Sequence, residues 1–469
     1  MAKDISTSPD GLTMTFILRD GVKFHDGRDF TSADVKYTFD ELFKSKGFKS
    51  FAFYDSVSTV KADAKVDAKP VEANAANSQA KVGPPATKQV AHIETITTPD
   101  SKTVVFKLSR ASLKNQLLAN LVAVPIIPEG SAGQQKASPI GSGPFKFVTL
   151  DESQGVVELS AHKDYWDGPA KIDKLRLKTV TDANSLQAEL STGAVDIAPN
   201  PNNIPADTLQ ALKSSANLKV EQSDGSNIQY LVFNTQIAPL NNVKVRQAIA
   251  YAIDRERIVS DLLSNQAKTA ENVLPLPSWA YNTGTVYKYD PEKAKQLLAE
   301  AGYKNEPIIF KYGAGIFAVN QYAQVVQSSL MAVGLNVQIE TLDANVARSQ
   351  VALGQYGMYT GVFIGGNQDP IYLRDLFSSS KIPTAQVAGF NRSRYVNAEV
   401  DKMVEEAINS TDKAQAKDLY GKVWTLVSSE VPLLPLWYPA NIVVSNKRIG
   451  NVKMSGSGDW GFLKDVTLQ

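Results

Sequence analysis

The sequence predicts an α/β protein built from more than one lobe. Strand-like segments alternate with amphipathic helical segments along most of the chain, a pattern typical of largely buried sheets flanked by helices. At 469 residues the chain is long enough for about two to four domains, taking roughly 100–200 residues per domain. Its 43% apolar and 21% charged residues are ordinary for a globular protein.

The segment 11–43 gives the most detailed local prediction. Leu, Met, Phe and Leu occupy every second position over 12–18, which is the period of a strand with one buried face. Two Asp-Gly turn dipeptides follow, and Thr31 can then cap a helix whose third residue is Asp34. These residues predict a strand, a double turn and a helix.

The rest of the chain alternates strands and helices. The clearest helix starts at Asp290, where a cap precedes a proline and an acidic first turn, and it ends at Gly302. Asp254 can cap a second helix and so divides 242–263 into two helices. Other predicted helices cover 182–193, 321–333, a stretch ending at Gly354, 397–409 and 412–429. Predicted strands cover 103–108, 142–147, 195–197, 308–312, 335–342, 358–363 and 432–438.

Residues 61–89 interrupt this pattern. The stretch is rich in Ala, Lys, Asn and Pro and contains no aromatic residue. It cannot bury enough apolar area to offset the entropy of ordering, so we interpret it as a flexible surface insertion. A partly helical Ala/Lys segment is the alternative.

Composition excludes several classes of function. The net charge of +1 provides no global field for nucleic acid or anionic lipid. The chain has no cysteine, which removes thiolate nucleophiles and disulfides and fits an extracytoplasmic protein. Only three histidines occur, His25, His92 and His162, so a metal site or a serine triad would need long-range contacts. Without a Walker, dinucleotide, HExxH or GxSxG motif, we expect no cofactor, metal or catalytic residue.

Neither a membrane span nor an export signal is evident. No segment approaches the ~18 consecutive apolar residues of a transmembrane helix. The N-terminus lacks a basic region followed by an apolar core.

Several segments together resemble the family 5 extracytoplasmic solute-binding proteins, the peptide, nickel and oligosaccharide receptors of ABC importers. Segment 11–43 resembles the signature region of that family. Further similar segments lie at 142–147, 162–169, 195–197, 242–263 and 432–438. The resemblance implies a periplasmic-binding-protein-like fold, type II and cluster C-like, with two lobes joined by hinge strands and a small accessory domain.

The resemblance also implies domain boundaries. Residues 1–140 would form the accessory domain, 141–235 with 440–469 the large lobe, and 236–439 the second lobe, with hinge crossings near Asn234 and Tyr438. Because Met1 stands where the family has an internal leucine, we expect several tens of residues upstream. These would include the export signal, the first strand of the large lobe and a segment that lines the cleft.

The function implied by the resemblance is that of a receptor. The lobes would close on a peptide-like or other small solute and deliver it to a membrane permease. We expect a periplasmic or extracytoplasmic monomer that binds no nucleic acid and is not an enzyme. A carboxylate-based hydrolase such as a glycosidase, or a truncated non-functional fragment, is the alternative.

The segment 363–370 resembles the cleft-facing WxGDxxDP segment of peptide-binding members. By this resemblance Phe363 would pack on the ligand, with Gly365, Gly366 and Asn367 beside it. Gly366 stands where the family has the aspartate that pairs with the α-ammonium group of a peptide, and Asp369 would fix the turn.

The arginine that binds the carboxylate of a dipeptide would fall near Gly313. Residues 312–324 contain no basic residue, and only Lys311 is close. The sequence therefore does not favour a dipeptide over a longer peptide, an oligosaccharide or another small solute.

Other candidate cleft residues each have a structural alternative. Phe53 and Tyr54 fit core packing, and Trp437 and Tyr438 alternate on a strand, so one of them belongs to the core. The remaining candidates are Asn200 and Asn391, which fit turn chemistry, and Trp279, which lies in a loop that borders the cleft in the family. His25 and His162 fit structural turns.

Overall fold

The computed structural model describes residues 1–45, 48–58, 87–201, 204–314, 317–363, 369–384, 389–410 and 412–469. The strands are β1 Ala2–Thr7, β2 Thr13–Leu18, β3 Tyr54–Ser58, β4 Thr87–Ala91, β5 Ile93–Asp100, β6 Thr103–Leu108, β7 Phe145–Asp151, β8 Val156–Ala161, β9 Lys174–Lys178, β10 Ile197–Pro199, β11 Leu218–Ser223, β12 Ile228–Phe233, β13 Ala267–Thr269, β14 Ile308–Gly313, β15 Val337–Leu342, β16 Met358–Phe363, β17 Leu433–Pro439, β18 Asn441–Asn446, β19 Ile449–Gly450 and β20 Thr467–Leu468. The α-helices are α1 Ser32–Ser45, α2 Lys114–Leu121, α3 Ala183–Thr192, α4 Ala206–Leu212, α5 Val243–Ala252, α6 Arg255–Arg257, α7 Pro291–Ala301, α8 Phe317–Ala332, α9 Ala344–Ala352, α10 Tyr372–Phe377, α11 Ala398–Asn409 and α12 Lys413–Glu430.

The N-terminal region is an antiparallel sheet in the order β1-β2-β6-β5, packed against α1. Buried phenylalanines hold the two together: the ring of Phe39 on α1 lies 5.3 Å from that of Phe106 on β6. The helix begins as the sequence predicts, because the backbone N and Oγ1 of Thr31 donate to Asp34 Oδ2 at 2.8 and 2.9 Å. This region has its own core.

A second region contains two three-stranded sheets, β7-β8-β9 and β10-β18-β11. Its α3 is capped by Asp182, whose side chain accepts from Ser185 N, and it ends at Gly193 in the left-handed conformation. Leu190 of this helix is fully buried and packs with Leu218 and Val444 of the second sheet.

The third region is built on a six-stranded sheet in the order β13-β17-β12-β16-β14-β15. Alternate residues of the central strand β12 supply two cores: Leu231 and Phe233 pack on one face, and Tyr230 and Val232 on the other. The first face is covered by α5, α7 and α8, and the second by α9, α10, α11 and α12. The sheet is therefore buried on both sides.

The chain passes between the β10-β18-β11 sheet and the six-stranded sheet twice. The first crossing, 224–227, joins β11 to β12, and the second joins β17 to β18 at residue 440. The crossings touch, since a Cβ added at Gly225 would lie 2.0 Å from Pro439 O. The first crossing comes before the expected position near Asn234, because β12 pairs along its whole length with β16. The second lies two residues beyond Tyr438.

The C-terminal end of the predicted insertion 61–89 is part of a strand. Most of the insertion lies outside the described residues, but Thr87 to Gln89 belong to β4, which pairs with β3. A loop assignment was therefore wrong at this end of the segment, because backbone pairing there does not depend on apolar side chains.

Within the described part of the chain, no helix combines the length and hydropathy needed to cross a bilayer.

Candidate functional site

A cavity of about 750 Å³ opens between the β10-β18-β11 sheet and the six-stranded sheet. Pro439, the last residue of β17, and Ala440 in the second crossing line it where the two sheets are joined. Asn200, Ile204, Leu209 and Ile442 line it from the three-stranded side, and residues of β12, β16, α8 and α9 line it from the six-stranded side. A solute bound here would contact both sheets at once.

A buried hydrogen-bond network forms the floor of the cavity on the six-stranded side. The Nε2 atom of Gln229 lies 2.6 Å from Tyr322 Oη, 2.9 Å from Thr360 Oγ1 and 2.9 Å from Gly361 O. Tyr322 Oη is also 2.9 Å from Thr360 Oγ1. Burial raises the pKa of the Tyr322 phenol, which therefore stays neutral. A network satisfied in this way fixes the floor without a ligand.

Aromatic rings frame this floor. Trp437 of β17 lines the cavity and meets Tyr322 edge to face at 5.0 Å between ring centroids. Tyr230 of β12 also lines it and stacks on Phe363 at 4.2 Å, with 20° between the ring planes. Such rings supply apolar contact area and defined geometry to a ligand.

Two arginines line the cavity from the six-stranded side, Arg348 on α9 and Arg392 in the loop before α11. Arg392 Nη1 donates to Tyr230 Oη at 3.3 Å. In the part of the lining that the structure describes, these are the ionic side chains, and no carboxylate faces them.

The opposite wall is mostly apolar. Asn200 sits there in the left-handed conformation with φ 47°, and its backbone N and Oδ1 bond to the backbone O and N of Ile442 at 2.7 and 2.9 Å. Pro201, Pro205 and Leu209 continue the surface. Asn200 thus combines the turn role that its residue type suggests with a position on the cavity wall.

Two of the other sequence-predicted site residues lie beside the cavity without lining it. Phe363 supports Tyr230 from behind through the stack described above. Tyr438 is buried, and its hydroxyl lies within hydrogen-bond distance of two acceptors, the carbonyl oxygens of Asn272 and Leu274, at 2.6 and 2.8 Å. Trp437, its neighbour on β17, lines the cavity instead, although both residues are buried.

Three further candidates lie elsewhere. Tyr54 packs edge to face on Phe43 at 5.8 Å in the N-terminal core. Asn391 is fully buried, and its Nδ2 donates to the backbone O of Ser378 and Tyr395 at 2.9 and 2.8 Å. Trp279 lines a separate cavity of about 490 Å³ between α2 and α12.

The segment resembling the family's ligand loop is only partly described. Gly365, Gly366 and Asn367 lie outside the described residues. Asp369 lines the Trp279 cavity, and its Oδ1 accepts from Ile371 N at 2.9 Å, as a turn-fixing role requires. Gly313 lines the main cavity, whereas Lys311 turns away to Glu340 and Gln350 at 3.2 and 2.5 Å.

Sequence reasoning missed Gln229, Tyr322, Arg348 and Arg392. Gln229 lies in a strand flanked by apolar residues, where a lone polar residue at a buried position is itself a signal. The two arginines are far apart in sequence and have no motif. Only tertiary structure brings them to one cavity.

Comparison with known proteins identifies the family. The family model described as "Bacterial extracellular solute-binding proteins, family 5 Middle" matches residues 1–384 of this chain. This chain belongs to that family. The sequence predictions of the family and of a solute-binding receptor are therefore confirmed.

Individual relatives agree with this assignment. Heme-binding protein A of Haemophilus influenzae is 29% identical over 98% of this chain and 82% of its own length. Di/tripeptide-binding protein 1 of Pseudomonas aeruginosa is 26% identical over 98% of this chain and 83% of its own length. Both are family relatives named as binding proteins.

Solved structures confirm the fold. The periplasmic binding protein DppA of Helicobacter pylori, in complex with the peptide STSA, is 25% identical and superposes with a TM-score of 0.78, covering 100% of this chain and 88% of its own. The substrate-binding protein CtaP of Listeria monocytogenes is 23% identical with a TM-score of 0.79, over 100% and 90% of the two chains. The periplasmic-binding-protein-like fold predicted from the sequence is thus confirmed.

Proposed function

We propose that the chain captures a peptide-like solute in the 750 Å³ cavity and delivers it to the permease of an ABC importer. The observation that carries this proposal is the construction of the cavity. Its walls belong to two sheets that the chain connects by two short crossings, so that ligand contacts with both walls favour a closed arrangement.

The composition of the walls supports a peptide-like ligand. Buried polar groups at Gln229 and Thr360 and rings at Trp437 and Tyr322 give the mixture of fixed polar groups and apolar surface that small-solute sites use. Relatives are named as di/tripeptide-binding, and a structural neighbour holds the peptide STSA.

Haem is the second candidate, because the relative with 29% identity is named heme-binding. The three histidines of the chain lie outside the cavity lining: His25 and His162 contact Gly143, and His92 is buried near Phe53. A haem bound here would take no histidine ligand from the described lining.

The domain division follows the sheets in this proposal. We assign 1–140 to an accessory domain, and we move the first hinge crossing from Asn234 to 224–227, so that the second lobe includes β12. The large lobe then comprises 141–223 with 441–469. The receptor acts outside the cytoplasmic membrane as a monomer that docks on its permease.

Binding without turnover tests the function. We expect one or more members of a panel of peptides, haem and neutral sugars to raise the melting temperature of the 469-residue chain in a saturable manner, as mass action requires. Mass spectrometry of the recovered solute should find it unmodified. Chemical conversion of the solute, or no thermal response to any class, would contradict the proposal.

A further inference from the structure

The charges of the main cavity indicate which class of solute it takes. Its described lining contains Arg348 and Arg392 and no Asp, Glu, Lys or His. A guanidinium remains protonated at any physiological pH. The cavity therefore carries about two positive charges without a facing counter-charge.

Arg392 is held in place from both sides. Its backbone O accepts a hydrogen bond from Tyr356 Oη at 2.5 Å, and its backbone N donates to Phe390 O at 2.7 Å. The preceding residue, Asn391, bonds through its side chain to Ser378 and Tyr395. The loop thus presents Arg392 in a fixed position, which lowers the entropy lost when a ligand binds.

The phenol that Arg392 contacts does not neutralise it. Burial raises the pKa of Tyr230 to about 12, so its hydroxyl is uncharged near neutral pH. The bond to Tyr230 Oη uses one of the five N–H donors of the guanidinium. Other donors remain for a group in the cavity.

Arg348 lines the same cavity from α9, as does Tyr359 of β16. Burial raises the pKa of the Tyr359 phenol, and the positive charges of Arg392 and Arg348 oppose that increase. Arg348 also donates to Asn345 Oδ1 at 3.3 Å, one turn earlier on the helix. The walls of one cavity thus carry both cations.

We propose that this pair selects an anionic solute, and that Arg348 and Arg392 together bind its carboxylate. The inference rests on the proposed receptor function and specifies its ligand class. Closing the lobes removes the two guanidiniums from water, which is unfavourable unless a bound anion pairs with them. A solute with a positive group at this position would instead be rejected.

A peptide C-terminus and a haem propionate both supply the required carboxylate, and matched pairs of probes separate the two sources. One pair consists of two N-acetylated tripeptide pools of identical sequences. The peptides have a free C-terminal carboxylate in one pool and a C-terminal amide in the other. The second pair is haem and haem dimethyl ester. Equilibrium dialysis of the 469-residue chain with mass-spectrometric readout measures retention of each probe.

We expect the carboxylate form of one pair to be retained at least about tenfold better than its amide or ester. Arg348→Gln and Arg392→Gln should each remove most of that preference while the amide or ester form binds as before. Arg257→Gln removes the same charge from a side chain 77% exposed and paired with Asp261, so it should leave the preference unchanged.

The remaining outcomes distinguish failure of the anion selectivity alone from failure of the receptor function. Equal retention of the two forms by the unmodified chain, or a preference that survives in both arginine variants, would overturn the anion selectivity and leave the receptor function standing. If the chain retains neither form of either pair and no neutral solute raises its melting temperature, the receptor function itself fails, and the anion selectivity fails with it.

Discussion

The two walls of the cavity are built differently. The six-stranded sheet is buried on both faces and supplies a hydrogen-bond network, aromatic rings and both cavity arginines. The β10-β18-β11 sheet is half as wide and supplies mainly apolar residues and Asn200. We infer that the six-stranded side recognises the solute, whereas the three-stranded side closes over it.

The largest stability effect should come from the core beneath the recognising wall. Trp424 is 1% exposed and its indole N–H donates to Glu271 O at 3.1 Å. We expect Trp424→Ala to lower the free energy of unfolding by about 3–5 kcal/mol, measured by urea denaturation.

Trp460, which is 49% exposed, provides the matched control, and Trp460→Ala should change stability by less than about 0.5 kcal/mol. Similar losses in the two variants would show that the six-stranded side lacks the rigid core that distinguishes it here.

The next effect concerns the contact between the two crossings. Gly225→Ala would place a methyl carbon 2.0 Å from Pro439 O, so one crossing must move. We expect a loss of about 1–3 kcal/mol and weaker solute binding, because both walls are positioned through this contact. Chemical denaturation and a binding titration provide the two readouts.

Gly133→Ala is the control for this substitution, since among the described residues, apart from its own chain neighbours and local backbone, no atom lies within 4 Å of the added Cβ. If Gly225→Ala lowers stability but leaves the affinity for the solute unchanged, the contact between the crossings does not affect solute binding.

A smaller effect should follow from removal of the polar floor. Gln229→Leu leaves Tyr322 and Thr360 without their shared donor in a site where Gln229 is only 4% exposed. We expect a loss of about 1–3 kcal/mol in urea denaturation. Gln210→Leu, on the exposed side of α4, should remain within about 0.5 kcal/mol, and equal effects in both would contradict a structural role for the network.

The smallest predicted effect is a pH dependence of stability that arises from His25, which lies outside both walls of the cavity. Burial lowers the pKa of His25, and the nearby His162 and Lys146 add to that decrease, whereas its bond to Gly143 O and Asp26 oppose it. Gly141 N donates to His25 Nδ1 at 3.2 Å, so protonation of that atom would remove the acceptor.

The sign follows from linkage. The pKa of His25 in the folded state is below its unfolded value of about 6.5. The contribution of His25 to the free energy of unfolding is therefore complete above pH 6.5, declines as the pH falls through that value, and levels off below the folded pKa. His25→Gln should flatten this part of the profile of unfolding free energy between pH 8 and 5. An identical profile in the variant would assign the titration to other groups.

Local signals in the sequence were sufficient for the elements whose ends are set by their own residues. Helix α7 begins after Asp290, whose side chain accepts from Lys293 N, and ends at Gly302 in the left-handed conformation. Helix α3 is bounded in the same way by Asp182 and Gly193, and α6 begins after Asp254, whose side chain accepts from Arg257 N. Capping depends on neighbours a few residues away, so the sequence contains the information.

The cavity could be anticipated only in part, because its chemistry depends on long-range contacts. The resemblance directed attention to Phe363 and Tyr438, which lie just behind the lining. Arg392 and Tyr230 are 162 residues apart in sequence, and their hydrogen bond forms only once β12 is part of the six-stranded sheet. Neither segment has a periodic sequence pattern that predicts this contact.

The most direct test of a cleft that closes on an anion is small-angle X-ray scattering of the 469-residue chain with and without the N-acetylated tripeptide pool. Our account predicts a smaller radius of gyration with the free-carboxylate pool and no change with the amide pool, and no contraction with either pool in a chain carrying both Arg348→Gln and Arg392→Gln. Superimposable profiles under saturating conditions would contradict closure, and equal contraction with both pools would contradict selection by charge.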